Sequence, residues 1–218
     1  MAQATLLISS KNYSSWSLRG FLLVRLSGLP FDEKVADADD PNNRAELLMQ
    51  SSSIRVPSLV HGDVTVWDTL AIAEYLNEIY PEAGMWPADQ VARARCRSIC
   101  GEMHSGFAAL RGALPMNLRL FRPGFAVWSA VQADINRITE IWRECLELSK
   151  GPWLFGAKPT VADAMYAPVA TRFRTYDVKL DPISERYCAQ VLSWPDMKEW
   201  FAAAQHEPEQ IEELDIEF

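Results

Sequence analysis

No run of apolar residues in this 218-residue chain exceeds five, and the longest is Trp200–Ala204. A helix that crosses a membrane needs about 20, so the sequence predicts no membrane span. The first twelve residues carry one charge, Lys11, and no apolar stretch of signal-peptide length, which points to a cytoplasmic location. Basic charge is also scarce. The 21 Lys and Arg against 29 Asp and Glu leave a net charge of −8 and a pI near 5.0. Such a surface repels nucleic-acid phosphates and anionic lipid. Arg93, Arg95 and Arg97 form no basic patch, so no nucleic-acid or membrane partner is expected.

Cysteine is too sparse for a disulfide scaffold. Cys96, Cys100, Cys145 and Cys188 contain no C-x-x-C pair and read as reduced thiols in the role of small core residues. The three histidines, His61, His104 and His206, lack metal-ligand spacing. Only Cys96, Cys100 and His104 could share a helix face, and three such ligands make a weak case for a metal. What the chain does have is apolar content, 49%, enough for one large core or two small ones.

Two compositions meet near Pro81. Before it, short strand-like and helix-like pieces alternate. Thr5–Ile8 reads as a buried strand running into a Ser9–Asn12 loop. Leu18, Phe21, Leu22, Leu26 and Leu29 recur at helical spacing, closed by Gly28-Leu29-Pro30. Phe31–Val35 reads as a second strand and Asn42–Gln50 as a short helix. Val56–Val60 and Val64–Val66 flank a His61-Gly62-Asp63 turn, the mark of a hairpin. Asp68 then caps a helix carrying Leu70, Ala73, Leu76 and Tyr80. The order is β-α-β-α-β-β-α, and the early alternation implies a parallel strand pair.

After a Pro-rich linker the period is helical throughout. Ile99, Met103, Phe107, Leu110 and Leu114 predict one long helix, and Val127, Val131, Ile135, Ile138, Trp142 and Cys145 another. Shorter helices are expected over Thr160–Arg172 and Pro195–Gln205. Trp128, Trp142 and Trp153 are assigned to the core, and the acidic tail from Glu207 has little to pack against. An all-α bundle follows.

Three segments could carry chemistry. Tyr13-Ser14-Ser15-Trp16-Ser17-Leu18-Arg19 puts hydroxyls at a helix N-terminus, where free N–H groups favour an anion; the same serines also make ordinary caps. A proline after Val56 at a strand start invites a cis bond that frees the Val56 backbone for a peptide-like ligand; an ordinary trans proline is the alternative. Asp68-Thr69 offers a carboxylate and a hydroxyl beside free amides, suited to a zwitterion or simply to capping.

Together these segments resemble the glutathione transferase superfamily. The Ser14–Arg19 loop is most similar to the serine loop of its zeta class, which includes maleylacetoacetate isomerase. The resemblance extends through Val56-Pro57-Ser58-Leu59 and Asp68–Leu76 to the capping box Thr160-Val161-Ala162-Asp163. It implies a thioredoxin-like glutathione-binding domain (residues 1–81), a linker (82–88) and an all-α domain (89–218), usually as a homodimer. It also implies glutathione as co-substrate, with no metal.

Carried over by residue, Ser14 is similar to the serine that hydrogen-bonds the glutathione sulfur. Ser15, Trp16, Ser17 and Arg19 complete that loop, with Arg19 supplying positive charge. Val56 would pair with the cysteinyl backbone, and Asp68 and Thr69 would hold the γ-glutamyl end. The class has cysteine where Trp16 stands, and Gln-Ser or Glu-Ser where Asp68-Thr69 stands. Tyr13 is the rival hydroxyl. Cys100, His104, Phe107 and Arg111 form a helical stripe from which His104, Phe107 and Arg111 would face the substrate cleft, His104 and Arg111 contacting an anionic substrate or the glutathione glycine; a surface or dimer stripe is the alternative.

The energetics allow this. Lowering a thiol pKa from about 8.5 by about two units takes roughly 2.7 kcal/mol. A hydrogen bond to a charged acceptor supplies about 1.5–3 kcal/mol and a helix end about 0.3–1. The implied activity is attack of the glutathione thiolate on a small electrophile. The alternatives are glutathione-dependent isomerisation and a non-catalytic glutathione-binding protein. Trp16 stands where disulfide oxidoreductase chemistry would require a cysteine.

Overall fold

The computed structural model describes residues 4–35 and 56–208. The helix expected over Asn42–Gln50 lies outside them. β1 (Ala4–Ile8) is the apolar strand read from the sequence, and its near-continuous burial reflects a central place with both faces covered. β2 (Phe31–Val35) pairs parallel to it, from Ala4 opposite Phe31 to Ile8 opposite Val35. β3 (Ser58–His61) pairs antiparallel on the other side, and β4 (Val64–Trp67) closes the hairpin, giving the order β2-β1-β3-β4.

The crossover from β1 to β2 is α1 (Ser15–Ser27). Ser14 caps it at the start, and Gly28 ends it with φ 76°, a left-handed conformation that glycine adopts without penalty. Gly20 serves a different purpose. A Cβ there would lie 2.4 Å from the Pro57 Cβ, so only glycine lets α1 approach the Val56–Pro57 segment this closely. The Val56–Pro57 bond is cis. α2 (Thr69–Ile79) follows β4 through its cap Asp68 and buries Ile72, Ala73 and Leu76.

Beyond a short 3₁₀ turn at Pro81–Ala83, the chain is helical: α3 (Gln90–Ser105), α4 (Ala108–Ala113), α5 (Ser129–Ser149), α6 (Val161–Thr175), α7 (Pro182–Ser193) and α8 (Pro195–Gln205). α6 is the hub. Every residue in it except Arg174 is buried, as expected of a helix packed on all sides. Its capping box forms: Asp163 accepts from the Thr160 amide at 2.8 Å, and also from the Leu154 amide and the Tyr187 hydroxyl. One continuous apolar core runs from Leu6 and Ile8 to Ala204.

Four expectations need correction. The single helix through Ile99–Leu114 is broken: Gly106 is extended and Phe107 has φ 60°. Arg111 makes the break tolerable by donating to the terminal α3 carbonyls of Met103 and His104. α7 was not anticipated, although Asp181-Pro182 is a cap followed by a proline at the first helical position. Trp128 is 54% exposed, whereas Trp142 and Trp153 are buried as expected. Glu207 is bound to the loop after β1. All four cysteines are buried free thiols.

Candidate active site

The loop between β1 and α1 is a compact hydrogen-bonded unit. The Ser14 amide donates to the Ser10 carbonyl at 3.0 Å, and the Ser14 carbonyl accepts from Leu18, the first bond of the helix. The Ser14 Oγ accepts from the Ser17 amide at 3.2 Å and donates to the Ser17 Oγ at 2.9 Å. The Ser17 Oγ in turn accepts from the Ser9 amide at 2.9 Å. These bonds orient the first turn of α1, whose Ser15 and Trp16 amides come too early in the helix for an intrahelical partner.

Trp16, like Ser14 and Ser15 beside it, is half-buried. With Val56, Pro57, Trp67, Asp68, Thr69 and His104 it lines a cavity of about 510 Å³. Its ring lies 5.2 Å from that of His104, with the guanidinium carbons of Arg19 and Arg111 over it at 4.6 and 5.0 Å. Ser17 is buried, and Ser14 caps α1 two residues before Trp16.

Asp68 is held from two sides. Its carboxylate accepts from the Leu70 amide at 2.8 Å and meets His104 Nε2 at 2.5 Å. Its φ of 73° is unusual for a side chain other than glycine; the strained backbone aims the carboxylate at α3. Beside it Thr69 is 1% exposed, and its Oγ1 has no hydrogen-bond partner among the described residues. A buried, unsatisfied hydroxyl costs about 1–3 kcal/mol and is a natural place for a ligand's polar group.

Arg19 lies in the interior. It is 2% exposed, and its Nε donates to the Met165 carbonyl at 2.8 Å and its Nη1 to the Ser15 carbonyl. It therefore joins α1 to α6 and offers the cavity only its positive field, through Trp16. Burial lowers its pKa, and so do Arg172 and Arg111 nearby. Arg172 is pushed down to about 10, chiefly by burial and then by Arg111. The helix break also removes Phe107 and Arg111 from the stripe with His104. Phe107 is buried in the core, and the Arg111 guanidinium is engaged by carbonyls.

The sequence brought Trp16, Val56, Asp68, Thr69 and His104 forward separately, and the fold gathers them. It did not reveal Trp67, whose side chain ends a strand without a motif of its own. A larger groove of about 810 Å³ between α5 and α7 is lined by none of the candidate residues; Glu140, Glu144 and Glu147 alternate there with Arg143, Lys150 and Arg186. No group of three or more His, Cys, Asp or Glu among the described residues is placed to hold a metal. No helix among them is long and apolar enough to cross a membrane.

The mixed sheet with its crossover helix and closing hairpin, followed by helices, is a thioredoxin-like architecture joined to a helical bundle. Residues 13–79 match the glutathione S-transferase N-terminal domain and residues 89–203 the corresponding C-terminal domain. The chain belongs to the glutathione S-transferase family, a family of enzymes. It is 25% identical over 169 residues to a probable maleylacetoacetate isomerase of Caenorhabditis elegans, covering 77% of this chain and 78% of that protein. A Drosophila melanogaster protein described as probable maleylacetoacetate isomerase 1 is 29% identical over 128 residues, 59% of this chain and 51% of the relative. In fold, the chain is similar to a glutathione transferase homolog from Burkholderia solved with bound glutathione. That match has a TM-score of 0.71 and 22% identity, covering 95% of this chain and 100% of that one.

Proposed function

We propose that the protein binds glutathione in the cavity lined by Trp16, Val56, Asp68, Thr69 and His104, and activates its thiol for attack on a small electrophile. The Thr69 hydroxyl, buried beside the Asp68 carboxylate and without a partner among the described residues, carries this reading. Together they match the polar end of a zwitterion, with the ammonium on Asp68 and the carboxylate on Thr69 and the first α2 amides.

In this reading Ser14 is the catalytic residue. Its oxygen keeps the bond from the Ser17 amide, while rotation about Cβ–Oγ swings the O–H from the Ser17 Oγ to the sulfur. The Ser17 Oγ stays satisfied by the Ser9 amide. The donor and the positive end of α1 favour the thiolate, the thiol proton passing to solvent; the thiolate forms the C–S bond at the electrophilic carbon as the leaving group departs with its electron pair. Ser15 and Ser17 shape the turn, Arg19 adds positive potential from behind, and His104 holds the Asp68 carboxylate. Phe107 and Arg111 support the wall of the electrophile site through Trp16 and the end of α3.

A second reading, cis–trans isomerisation, is favoured by the similarity to the two probable maleylacetoacetate isomerases. The thiolate would add to the conjugated double bond, the resulting single bond would rotate, and elimination would return the thiolate. Assembly as a homodimer and a cytoplasmic location complete the proposal, and light scattering on the purified chain tests the former. For the activity, titration with glutathione is expected to saturate and to raise thiolate absorbance at neutral pH. Turnover of maleylacetoacetate against an aromatic halide separates isomerase from transferase. Absence of glutathione binding at any concentration overturns both readings.

A further inference from the structure

We infer that Glu207, at the far end of the chain from the proposed sulfur ligand, is a positioning residue for the loop that presents Ser14. The inference rests on the assignment of Ser14 proposed above. The Glu207 carboxylate accepts from the Lys11 amide at 2.7 Å through Oε1. Through Oε2 it accepts from the Ser10 hydroxyl at 2.7 Å and the Asn12 amide at 2.9 Å. Two successive amides and a hydroxyl converging on one carboxylate form a small anion nest, here filled by the protein's own side chain.

The nest leads directly to the active loop. The Ser10 Oγ, held by Glu207, accepts from the Tyr13 amide at 3.2 Å, and the Ser10 carbonyl accepts from the Ser14 amide at 3.0 Å. One residue fixed by Glu207 thus fixes both hydroxyl-bearing candidates of the loop. The clasp is itself anchored. Arg119 donates to the Ala204 carbonyl at 2.9 Å and also to the Glu207 carbonyl, while the Trp200 indole donates to the Lys11 carbonyl at 2.9 Å. The Asn12 Oδ1 takes the Leu118 and Arg119 amides. The Lys11 ammonium is engaged by Glu33 and lies over the Trp200 ring, so it does not compete for Glu207.

A thiolate ligand must meet the serine oxygen within a few tenths of an ångström to gain a charge-assisted bond. Any drift of Ser10 is passed to Ser14. Glu207→Gln keeps the shape but leaves one oxygen for three donors. In the full chain its kcat is expected to fall about tenfold, since small misplacements of reacting groups are costly. The KM for glutathione should stay within about twofold, because Val56, Asp68 and Thr69 lie on other elements. The titration of the bound thiol should move to higher pH, and the Lys11 and Asn12 amides should exchange faster with solvent.

If Glu207→Gln fails to fold, Glu207→Asp and Arg119→Gln are expected to show the same changes in weaker form. Wild-type kcat and thiol titration in these variants, or unchanged amide exchange, would overturn the positioning role. Should Ser14→Ala be inactive while Glu207→Gln matches wild type, only the clasp fails. Should Ser14→Ala be fully active, the assignment of Ser14 fails and takes the clasp with it.

Discussion

The His104 imidazole meets the Asp68 carboxylate at 2.5 Å across the rim of the cavity, tying α3 to the N-terminus of α2. Asp68 therefore has three tasks: capping its helix, holding a left-handed backbone and presenting charge. Asp68→Asn preserves the first two, because asparagine caps well and tolerates positive φ. Losing the charge removes about 1.5–3 kcal/mol from a bond to an ammonium. Calorimetry should show roughly tenfold or weaker glutathione binding, with melting nearly unchanged. Wild-type affinity would exclude Asp68 from ammonium recognition.

Ser14 requires a paired experiment, because its oxygen is also the α1 cap. Ser14→Ala is expected to cost about 0.5–2 kcal/mol of stability, but Ser14→Gly only a few tenths more than wild type. Both lack the hydroxyl, so both should lose turnover by about 10²–10³-fold, the usual cost of removing one donor to a developing anion. A steady-state assay beside thermal melts checks this. Turnover that tracks stability instead of the hydroxyl would leave Ser14 as a cap alone.

Arg19→Lys tests the strut between α1 and α6. One ammonium does not reproduce the two donations to the Met165 and Ser15 carbonyls. Leaving a buried acceptor unsatisfied costs about 1–3 kcal/mol, which lowers Tm by roughly 2–4 °C per kcal/mol in a chain of this size. Equal melting temperatures would show that Arg19 bears no load there.

Asp181 should make part of the stability acid-sensitive. Partial burial opposes its ionisation, but the Ser184 hydroxyl and amide, the Arg143 guanidinium and the Ile183 amide outweigh this and hold its pKa at about 2. A carboxylate whose pKa is depressed on folding adds stability above its unfolded value of 3.8 and loses it as pH falls toward about 2. The group is half-buried and still reached by solvent, so the effect should stay within about 1 kcal/mol. Asp181→Asn keeps the cap but has no proton to bind. The gap in urea midpoint between wild type and variant should close between about pH 4 and pH 2; a constant gap would contradict the linkage.

Much of the architecture was legible because its signals are local. Ser14, Asp68, Thr160 and Gly28 act on amides and carbonyls within a few residues, so spacing alone located the ends of α1, α2 and α6. The hairpin around Gly62 and the strand Phe31–Val35 were equally plain. Helical period alone failed at Gly106 and Phe107, where apolar spacing continues unbroken. Arg111 folds back onto the α3 carbonyls that the break leaves open, and apolar periodicity does not register a long side chain's reach.

The sequence by itself therefore determined the strands and the caps of α1, α2 and α6, and the family whose motifs they carry. Only the tertiary structure decided that Trp16 walls a cavity with Val56, Asp68, Thr69 and His104, and that Arg19 is buried as a strut. It alone joined His104 to Asp68, and Glu207 to a loop some 195 residues earlier. Such contacts depend on how packed elements meet in space, and no short-range rule of turns, caps or periodicity extends across that distance in the chain.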